Sequence, residues 1–173
     1  IRDRPKGTGA IDLAPGSSGV NISNGGTVTA LTRTTSGSGY TSIPTAVISA
    51  PTTAGGIQAT FSPNMQIATH SLNTAGSGYT ANDVLTLLGG TGTGALFTVN
   101  TVDGTGAILT YTLTTAGSYS VLPTSPVSVS GGTGTGAKFN LLTYQLQSSV
   151  GTITNAGSGY VEQPTVSFSG GGG

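Results

Sequence analysis

The stretch Gly37-Ser38-Gly39-Tyr40 occurs again as Gly76-Ser77-Gly78-Tyr79 and as Gly157-Ser158-Gly159-Tyr160, and a shortened copy, Gly117-Ser118-Tyr119, lies between them. The four tyrosines are 39, 40 and 41 residues apart. Self-similarity at a period of about 40 residues predicts a chain of structural repeats. A unit of that size buries too little apolar surface to be stable alone, so we expect neighbouring units or neighbouring chains to share a core.

The composition favours β structure over disorder. The chain of 173 residues has 30 glycines, no net charge and 6% charged residues, whereas about a quarter of the residues are charged in an ordinary domain. Disorder requires low hydrophobicity together with high net charge, but 35% of this chain is hydrophobic, and Val, Ile, Leu and Thr dominate the segments between the glycine clusters. We therefore predict an all-β fold of tandem repeats of about 40 residues, each with roughly three short antiparallel strands, and no helix.

The motif positions divide the chain into units. Residues 1–35 form an N-terminal arm and partial repeat, and residues 36–74, 75–115, 116–155 and 156–173 form repeat 1, repeat 2, repeat 3 and partial repeat 4. Within them, residues 57–61 and 65–72 are predicted as two separate strands, and so are residues 139–147 and 150–154. Asn24-Gly25-Gly26 and Asp103-Gly104 predict hairpin turns.

The repeated positions are candidate structural anchors. Glycine at the corner permits positive φ or close approach of the backbone. The tyrosine ring can cover a small core while its hydroxyl reaches water or a carbonyl; an exposed row of tyrosines that binds sugar rings is the alternative. Proline stands four residues after three of the tyrosines, where it suits the first residue of an edge strand. The predicted anchors are Tyr40, Tyr79, Tyr119, Tyr160, Gly37, Gly76, Gly117, Gly157, Pro44, Pro123 and Pro164.

Candidate reactive residues are few and dispersed. Residues 131–138, GGTGTGAK, superficially match a phosphate-binding loop, but that motif needs Gly-Lys-Ser/Thr at the start of a helix, and here an alanine separates the last glycine from the lysine. His70, the single histidine, has no carboxylate or nucleophile beside it in the sequence. Asp83, Asp103 and Glu162 are far apart, which disfavours a glycosidase pair or a calcium loop. We predict no catalytic, cofactor-binding or metal-binding residue and no enzymatic activity.

Several classes of partner are disfavoured by the same residues. The chain has no cysteine, which excludes disulfides and thiolate metal sites. No apolar run approaches the ~18 residues of a membrane span. Arg2, Arg4 and Lys6 cluster near the start, but the chain lacks the basic stripe of a nucleic-acid-binding protein. Asn21-Ile22-Ser23 is a sequon that matters only on a glycosylating secretory route.

The full pattern resembles a known class of repeats. Gly-Ser-Gly-Tyr, three residues, Pro-Thr-Val, and then Ser-Gly-Gly-Thr-Gly-Thr-Gly-Ala with a strand pair is similar to the glycine-rich repeats of tailed-phage virion proteins, especially fibre, appendage and decoration proteins. The resemblance covers residues 36–173, with a weaker echo from Gly7. It implies a structural subunit on the virion surface or outside the cell that self-associates, with other virion proteins and a host-surface glycan as further partners.

Other functions stay open at this point. Similar repeats occur in some bacterial surface proteins, so a subunit of a bacterial or archaeal extracellular filament or adhesin is the alternative, and a carbohydrate-active enzyme is a third class. The last repeat ends at its glycines, and Lys6-Gly7-Thr8-Gly9-Ala10 matches the residues that would come next in a complete repeat. We therefore expect the N-terminal segment to complete the last repeat, either in its own chain, closing a ring, or in the next chain, linking subunits.

Overall fold

A computed structural model describes residues 18–22, 26–33 and 36–172. In these ranges every regular element is a strand and none is a helix, and the described strand pairs are antiparallel. The prediction of an all-β, helix-free fold is confirmed, whereas the 40-residue repeat stays a prediction. The strands are β1 (Ser18–Ile22), β2 (Val28–Arg33), β3 (Thr45–Ile48), β4 (Thr60–Thr74), β5 (Val84–Leu87), β6 (Thr91–Thr93), β7 (Leu96–Val102), β8 (Ile108–Thr115), β9 (Ser118–Val121), β10 (Val127–Ser130), β11 (Lys138–Asn155) and β12 (Val166–Ser169).

The strands form one large sheet and two small ones. The large sheet has the order β6-β9-β4-β11-β10-β5-β7-β8, and the small sheets are β1-β2 and β12-β3. The chain divides into two compact units, and the long strands β4 and β11 contribute residues to both. The first unit contains the described residues up to Gly37 with Pro44–Asn64 and Leu146–Gly171, and the second contains Ser38–Ile43 and Met65–Gln145 with Gly172.

The two long strands correct the predicted division into short ones. The residues between 61 and 65 and between 147 and 150 lie inside β4 and β11, where the sequence predicted breaks. Phe61, Pro63 and Met65 are buried at alternate positions of β4, so Pro63 keeps the period of the strand. A proline removes only one N–H, and its φ is compatible with extended backbone. In β11, an added Cβ on Gly151 would lie 2.8 Å from the Cα of Pro63, so the glycine lets the two strands approach closely.

The first unit has its own apolar core. Its β-branched and aromatic side chains come from strands that are far apart in sequence, and Phe61 and Phe168 meet edge to face with ring centroids 6.0 Å apart. Burial of such side chains contributes about 1.5–3 kcal/mol each. The cluster consists of Val28, Ile48, Ala59, Phe61, Tyr160 and Val166, with Leu31, Ala46, Ile153 and Phe168 packed against it.

The second unit is centred on aromatic rings. Phe97 of β7 and Phe139 of β11 are fully buried and stack with centroids 4.4 Å apart. Tyr111 of β8 meets both rings edge to face, at 5.3 Å from Phe97 and 4.9 Å from Phe139. Leu85 is also fully buried, on β5 beside β7. The stack therefore joins three strands of the large sheet into one packed layer.

The hairpin and proline predictions have different outcomes. β7 and β8 form the hairpin predicted at Asp103-Gly104, and Gly106 donates its N–H to the carbonyl of Asp103 at 3.1 Å. β1 pairs with β2 across residues 23–25, which lie outside the described part. The three prolines lie before strands and not inside them: Pro44 directly precedes β3, Pro164 stands two residues before β12, and Pro123 stands four residues before β10, and all three are buried. A residue without an N–H cannot join the ladder, so the ring acts in packing instead.

Replacing Leu85 tests the core of the second unit. Leu85→Ala removes a fully buried side chain and is expected to lower the free energy of unfolding by about 2–5 kcal/mol. The matched control is Leu109→Ala, because Leu109 is 60% exposed, and it is expected to change the value by less than about 0.5 kcal/mol. Urea unfolding followed by circular dichroism measures both, and equal losses would contradict this assignment of the core.

Candidate functional site

The repeated motifs form a structural device that we call a corner, and each is named after its tyrosine. In three corners the tyrosine hydroxyl accepts a hydrogen bond from the backbone N–H of an alanine that is distant in sequence. These tyrosines and alanines are all buried. The pairs are Ala59 N to Tyr160 Oη at 2.9 Å, Ala95 N to Tyr119 Oη at 2.8 Å, and Ala137 N to Tyr79 Oη at 3.4 Å.

Each of these alanines ends a four-residue segment that begins with glycine, which we call an alanine segment: residues 56–59, 92–95 and 134–137. The serine of each corner pairs antiparallel with the second residue of its segment. Ser77 and Thr135 exchange two backbone hydrogen bonds of 3.0 and 2.9 Å. The pairs Ser118 with Thr93 and Ser158 with Ile57 have the same relation. A corner therefore binds its segment as an added strand is bound, through the main chain.

The first glycine of these corners is required by both conformation and space. Gly76, Gly117 and Gly157 have φ values of 65°, 73° and 65°, in the left-handed region that favours glycine. An added Cβ on Gly157 would lie 2.5 Å from the carbonyl oxygen of Ile57 and 2.7 Å from the nitrogen of Ala59. The other two glycines approach their alanine segments in the same way. A side chain there would separate the corner from its segment.

A second contact recurs at the residue before the corner glycine. Its carbonyl accepts a hydrogen bond from the N–H of a buried apolar residue on another strand, at 2.8–3.2 Å. All four corners have this contact, which the sequence did not indicate because the donors share no motif. The pairs are Leu146 to Ser36, Ile108 to Ala75, Ile67 to Ala116 and Val28 to Ala156.

The four corner tyrosines are not available as an exposed row for sugar rings. Tyr40, Tyr79, Tyr119 and Tyr160 are 8%, 3%, 1% and 4% exposed. Burial raises the pKa of Tyr119, and the N–H of Ala95 opposes that rise only in part. The rings therefore pack inside the protein, and in the Tyr79, Tyr119 and Tyr160 corners their hydroxyls are directed at backbone groups.

Asp83 stands four residues after Tyr79, where the other three motifs have a proline, and it has a specific structural contact. Its carboxylate accepts hydrogen bonds from the N–H groups of Thr133, at 3.0 Å, and Thr80, at 2.9 Å, and from the hydroxyl of Thr133 at 2.7 Å. The backbone bond from Thr133, followed by that from Thr80, lowers the pKa of Asp83 to about 2. The carboxylate thus links Thr80, which follows Tyr79, to Thr133, which precedes the alanine segment 134–137. Its role is to stabilise the Tyr79 corner.

The remaining candidates are also placed in structural contacts. Asp103 accepts N–H hydrogen bonds from Thr105 and Ala107 and closes the β7-β8 turn. His70 lies against Phe97, its Nδ1 is 3.2 Å from the Tyr111 hydroxyl, and burial lowers its pKa. Lys138 begins β11, so no helix follows the glycines that resemble a phosphate-binding loop. Asn21 of the sequon lies in β1, and Ser23 lies outside the described residues.

Two kinds of feature are absent from the part of the chain that the structure describes. No group of three or more His, Cys, Asp or Glu side chains is arranged to hold a metal ion within residues 18–22, 26–33 and 36–172. Over the same ranges, no helix has the length and apolar character needed to cross a membrane.

A shallow groove lies in the second unit. It has a volume of about 500 Å³ and is lined by residues 88–91 together with Val121, Leu122, Thr124 and residues 126–128. Leu88 and Val121 are 47% and 55% exposed there. The lining residues have hydroxyl or apolar side chains or are glycines, and none of them is charged. The lining therefore offers hydrogen bonds and apolar contact but no carboxylate for acid-base chemistry.

Part of the chain is similar in sequence to a viral protein. Over 117 residues, which cover 57% of the chain, it is 35% identical to "Uncharacterized protein VP1" of Micromonas pusilla reovirus (isolate Netherlands/2005). The chain spans 6% of the length of that protein. No protein-family model and no solved structure matches the chain.

Glycine substitutions separate conformational strain from close approach. Gly157 and Gly55 both have positive φ, 65° and 76°, but nothing lies within 4 Å of an added Cβ on Gly55. Both substitutions to alanine are expected to cost about 1–2 kcal/mol of stability for the left-handed backbone. Gly157→Ala is expected to cost about 1–3 kcal/mol more, because the alanine segment has to move. Chemical denaturation measures the difference, and equal losses would show that the corner does not depend on close approach.

Asp83→Asn is expected to remove a pH-dependent contribution to stability. The pKa of the carboxyl is lowered from 3.8 to about 2, so folding favours the ionised form. Its contribution is therefore full above the unfolded value of 3.8 and is lost as the pH falls towards about 2. The difference in unfolding free energy between wild type and variant is expected to disappear over this interval. A difference that stays constant from neutral pH to pH 2 would contradict the hydrogen-bonded role of the carboxylate.

Proposed function

We propose that this chain is a structural part of a virion surface protein, which acts by self-association and contributes to attachment to a host-surface glycan. The observation that carries the proposal is that the recurring residues are used to hold the protein together. The tyrosine hydroxyls, glycines and alanines of three corners bind one another through the main chain. Residues used in this way build a scaffold, and reactive chemistry would need side chains that are free to act.

The viral relative supports the same assignment. The similarity covers 57% of the chain, and the matched protein comes from a reovirus. The repeat pattern resembles the repeats of tailed-phage virion proteins. The two similarities point to different classes of virus, so we propose a virion protein without naming the class. Location on the virion surface or outside the cell is part of the proposal.

The character of the surface supports the proposed self-association. Some strands have exposed apolar side chains: Leu109 is 60% exposed and Val121 is 55% exposed. Charged side chains usually prevent such strands from pairing with strands of other molecules, and this chain has few charges. The chain has ten acidic and basic residues together, five of each sign, and no net charge. Low charge of this kind favours association with identical copies or with other virion proteins.

We also propose that the chain has no catalytic activity. Among the acidic side chains, Asp83 and Asp103 accept several hydrogen bonds from neighbouring backbone groups. The uncharged groove is the proposed place for a glycan, because sugars are bound through hydroxyl partners and apolar surfaces. Binding without turnover is the expected result when the chain is incubated with host glycans.

Labelling of intact particles tests the virion assignment. Antibodies raised against the purified chain are expected to bind the surface of undisrupted virions of the virus that encodes it, as seen by immunogold electron microscopy. Preimmune serum is the control. Labelling of cell-surface filaments instead would support the alternative, an extracellular filament or adhesin subunit. Glycan hydrolysis that is lost in Asp83→Asn or Glu162→Gln would contradict the structural assignment and favour an enzyme.

A further inference from the structure

β4 and β8 approach each other in the second unit along a stretch that we call the seam, between residues 67–75 and residues 108–116. In the sheet order, β8 is an edge strand whose hydrogen-bonded neighbour is β7. The chain nevertheless joins β4 to β8 at both ends of the seam. The N–H of Ile67 donates to the carbonyl of Ala116 at 2.9 Å, and the N–H of Ile108 donates to the carbonyl of Ala75 at 3.2 Å.

A side-chain hydroxyl links the two strands in the middle of the seam. The N–H of Leu72, on β4, donates to the hydroxyl of Tyr111, on β8. The same hydroxyl lies 3.2 Å from Nδ1 of His70, also on β4. An oxygen that accepts from Leu72 can give its own hydrogen to Nδ1 only while that nitrogen carries no proton. The neutral ring of His70, protonated at Nε2, thus completes a chain of two hydrogen bonds across the seam.

Protonation of His70 breaks this chain. In the imidazolium form both ring nitrogens are donors, so Nδ1 no longer accepts the hydrogen of the Tyr111 hydroxyl. That hydrogen then has to turn away from His70, on a side chain whose ring packs edge to face against the buried Phe97 and Phe139. Loss of a partner in such surroundings is costly, and so is the removal of a charged ring from water.

The neighbouring elements bring no negative charge that would compensate. Burial alone lowers the pKa of His70. Its ring packs against Phe97 of β7 and against Tyr111 of β8, and burial raises the pKa of Tyr111 above its ordinary value of 10. The groups that titrate on β11, beside β4, are Tyr144, whose pKa is raised to about 12, and Lys138. Both tyrosines are therefore neutral near pH 7, and a lysine disfavours a second positive charge.

We propose that His70 makes the seam between β4 and β8 sensitive to acid: the neutral ring holds the Tyr111 hydroxyl in place, and protonation of Nδ1 releases it and opens the seam. Folding favours the neutral ring, because burial lowers the pKa of His70 from its ordinary value of 6.5. Its contribution to stability is therefore complete above pH 6.5 and is lost as the pH falls below that value. His70 is the single histidine, and the lowered pKa values of Asp83 and Asp103 keep both carboxylates ionised over this interval.

Hydrogen exchange of the whole chain, followed by NMR at about pH 7.5 and about pH 5, on either side of the ordinary histidine pKa, tests the proposal. After correction for intrinsic exchange rates, protection of the Leu72 and Ile108 amides is expected to fall about fivefold at the lower pH, as for the loss of one buried hydrogen bond. The Val28 amide is the control. It donates to the carbonyl of Ala156 at 2.8 Å in the first unit, away from any histidine, and its protection is expected to stay the same. Equal protection of Leu72 and Ile108 at both pH values would overturn the proposal.

Two variants separate the charge of His70 from its hydrogen bond. Glutamine does not titrate, and its amide oxygen can accept from Tyr111, so His70→Gln is expected to abolish the pH dependence and keep protection at the lower pH. Tyr111→Phe is expected to lower protection of the Leu72 amide at both pH values, because it removes the acceptor. A histidine with only a packing role would leave the pH dependence unchanged in His70→Gln, and that result would overturn the proposal. The comparison of the two pH values in the wild-type chain decides the question even where a variant does not fold.

Discussion

The hydrogen bond from an alanine N–H to a tyrosine hydroxyl links the two kinds of glycine-rich segment in this protein. It is short at the Tyr119 and Tyr160 corners, 2.8 and 2.9 Å, and it is enclosed by a ring that is almost fully buried. The donor would otherwise be a buried main-chain group without a partner, which is costly. The tyrosine ring and its hydroxyl therefore do separate work: the ring covers the core and the hydroxyl satisfies the backbone.

This contact explains why a glycine-rich chain can be well ordered. Glycine lowers stability where it only adds freedom to the unfolded chain, but here it allows main chain to touch main chain. At Gly157, the nearest groups to an added Cβ are backbone atoms of the alanine segment. The result is a scaffold that depends on backbone hydrogen bonds and few charges. Among the corners, Asp83 adds a charged contact, since its carboxylate stands where the other motifs have a proline and accepts hydrogen bonds from two backbone N–H groups at the Tyr79 corner.

The corner contacts also join distant parts of the chain. Tyr160 and Ala59 are 101 residues apart, and Tyr79 and Ala137 are 58 apart, while Tyr119 and Ala95 are 24 apart. Contacts of such long range make folding slow and leave strand edges exposed until late. Binding of a segment through the main chain does not require that the segment belong to the same chain, so this kind of contact is compatible with the proposed association of several chains. This connects the fold to the proposed structural role.

The amino-acid sequence by itself determined the all-β class, the positions of the corners and the β7-β8 hairpin, because φ preference, strand propensity and turn chemistry act over a few neighbouring residues. It also indicated that the glycines before Lys138 are not a phosphate-binding loop, since no helix signal comes after them. Only the tertiary structure decided which alanine segment each corner binds, why Asp83 stands in place of a proline, and that β4 and β11 continue where breaks were predicted. The physical reason is that residues 92–95 and 134–137 are identical, so local chemistry suits either one to any corner. The choice between them depends on where the surrounding strands bring the main chain.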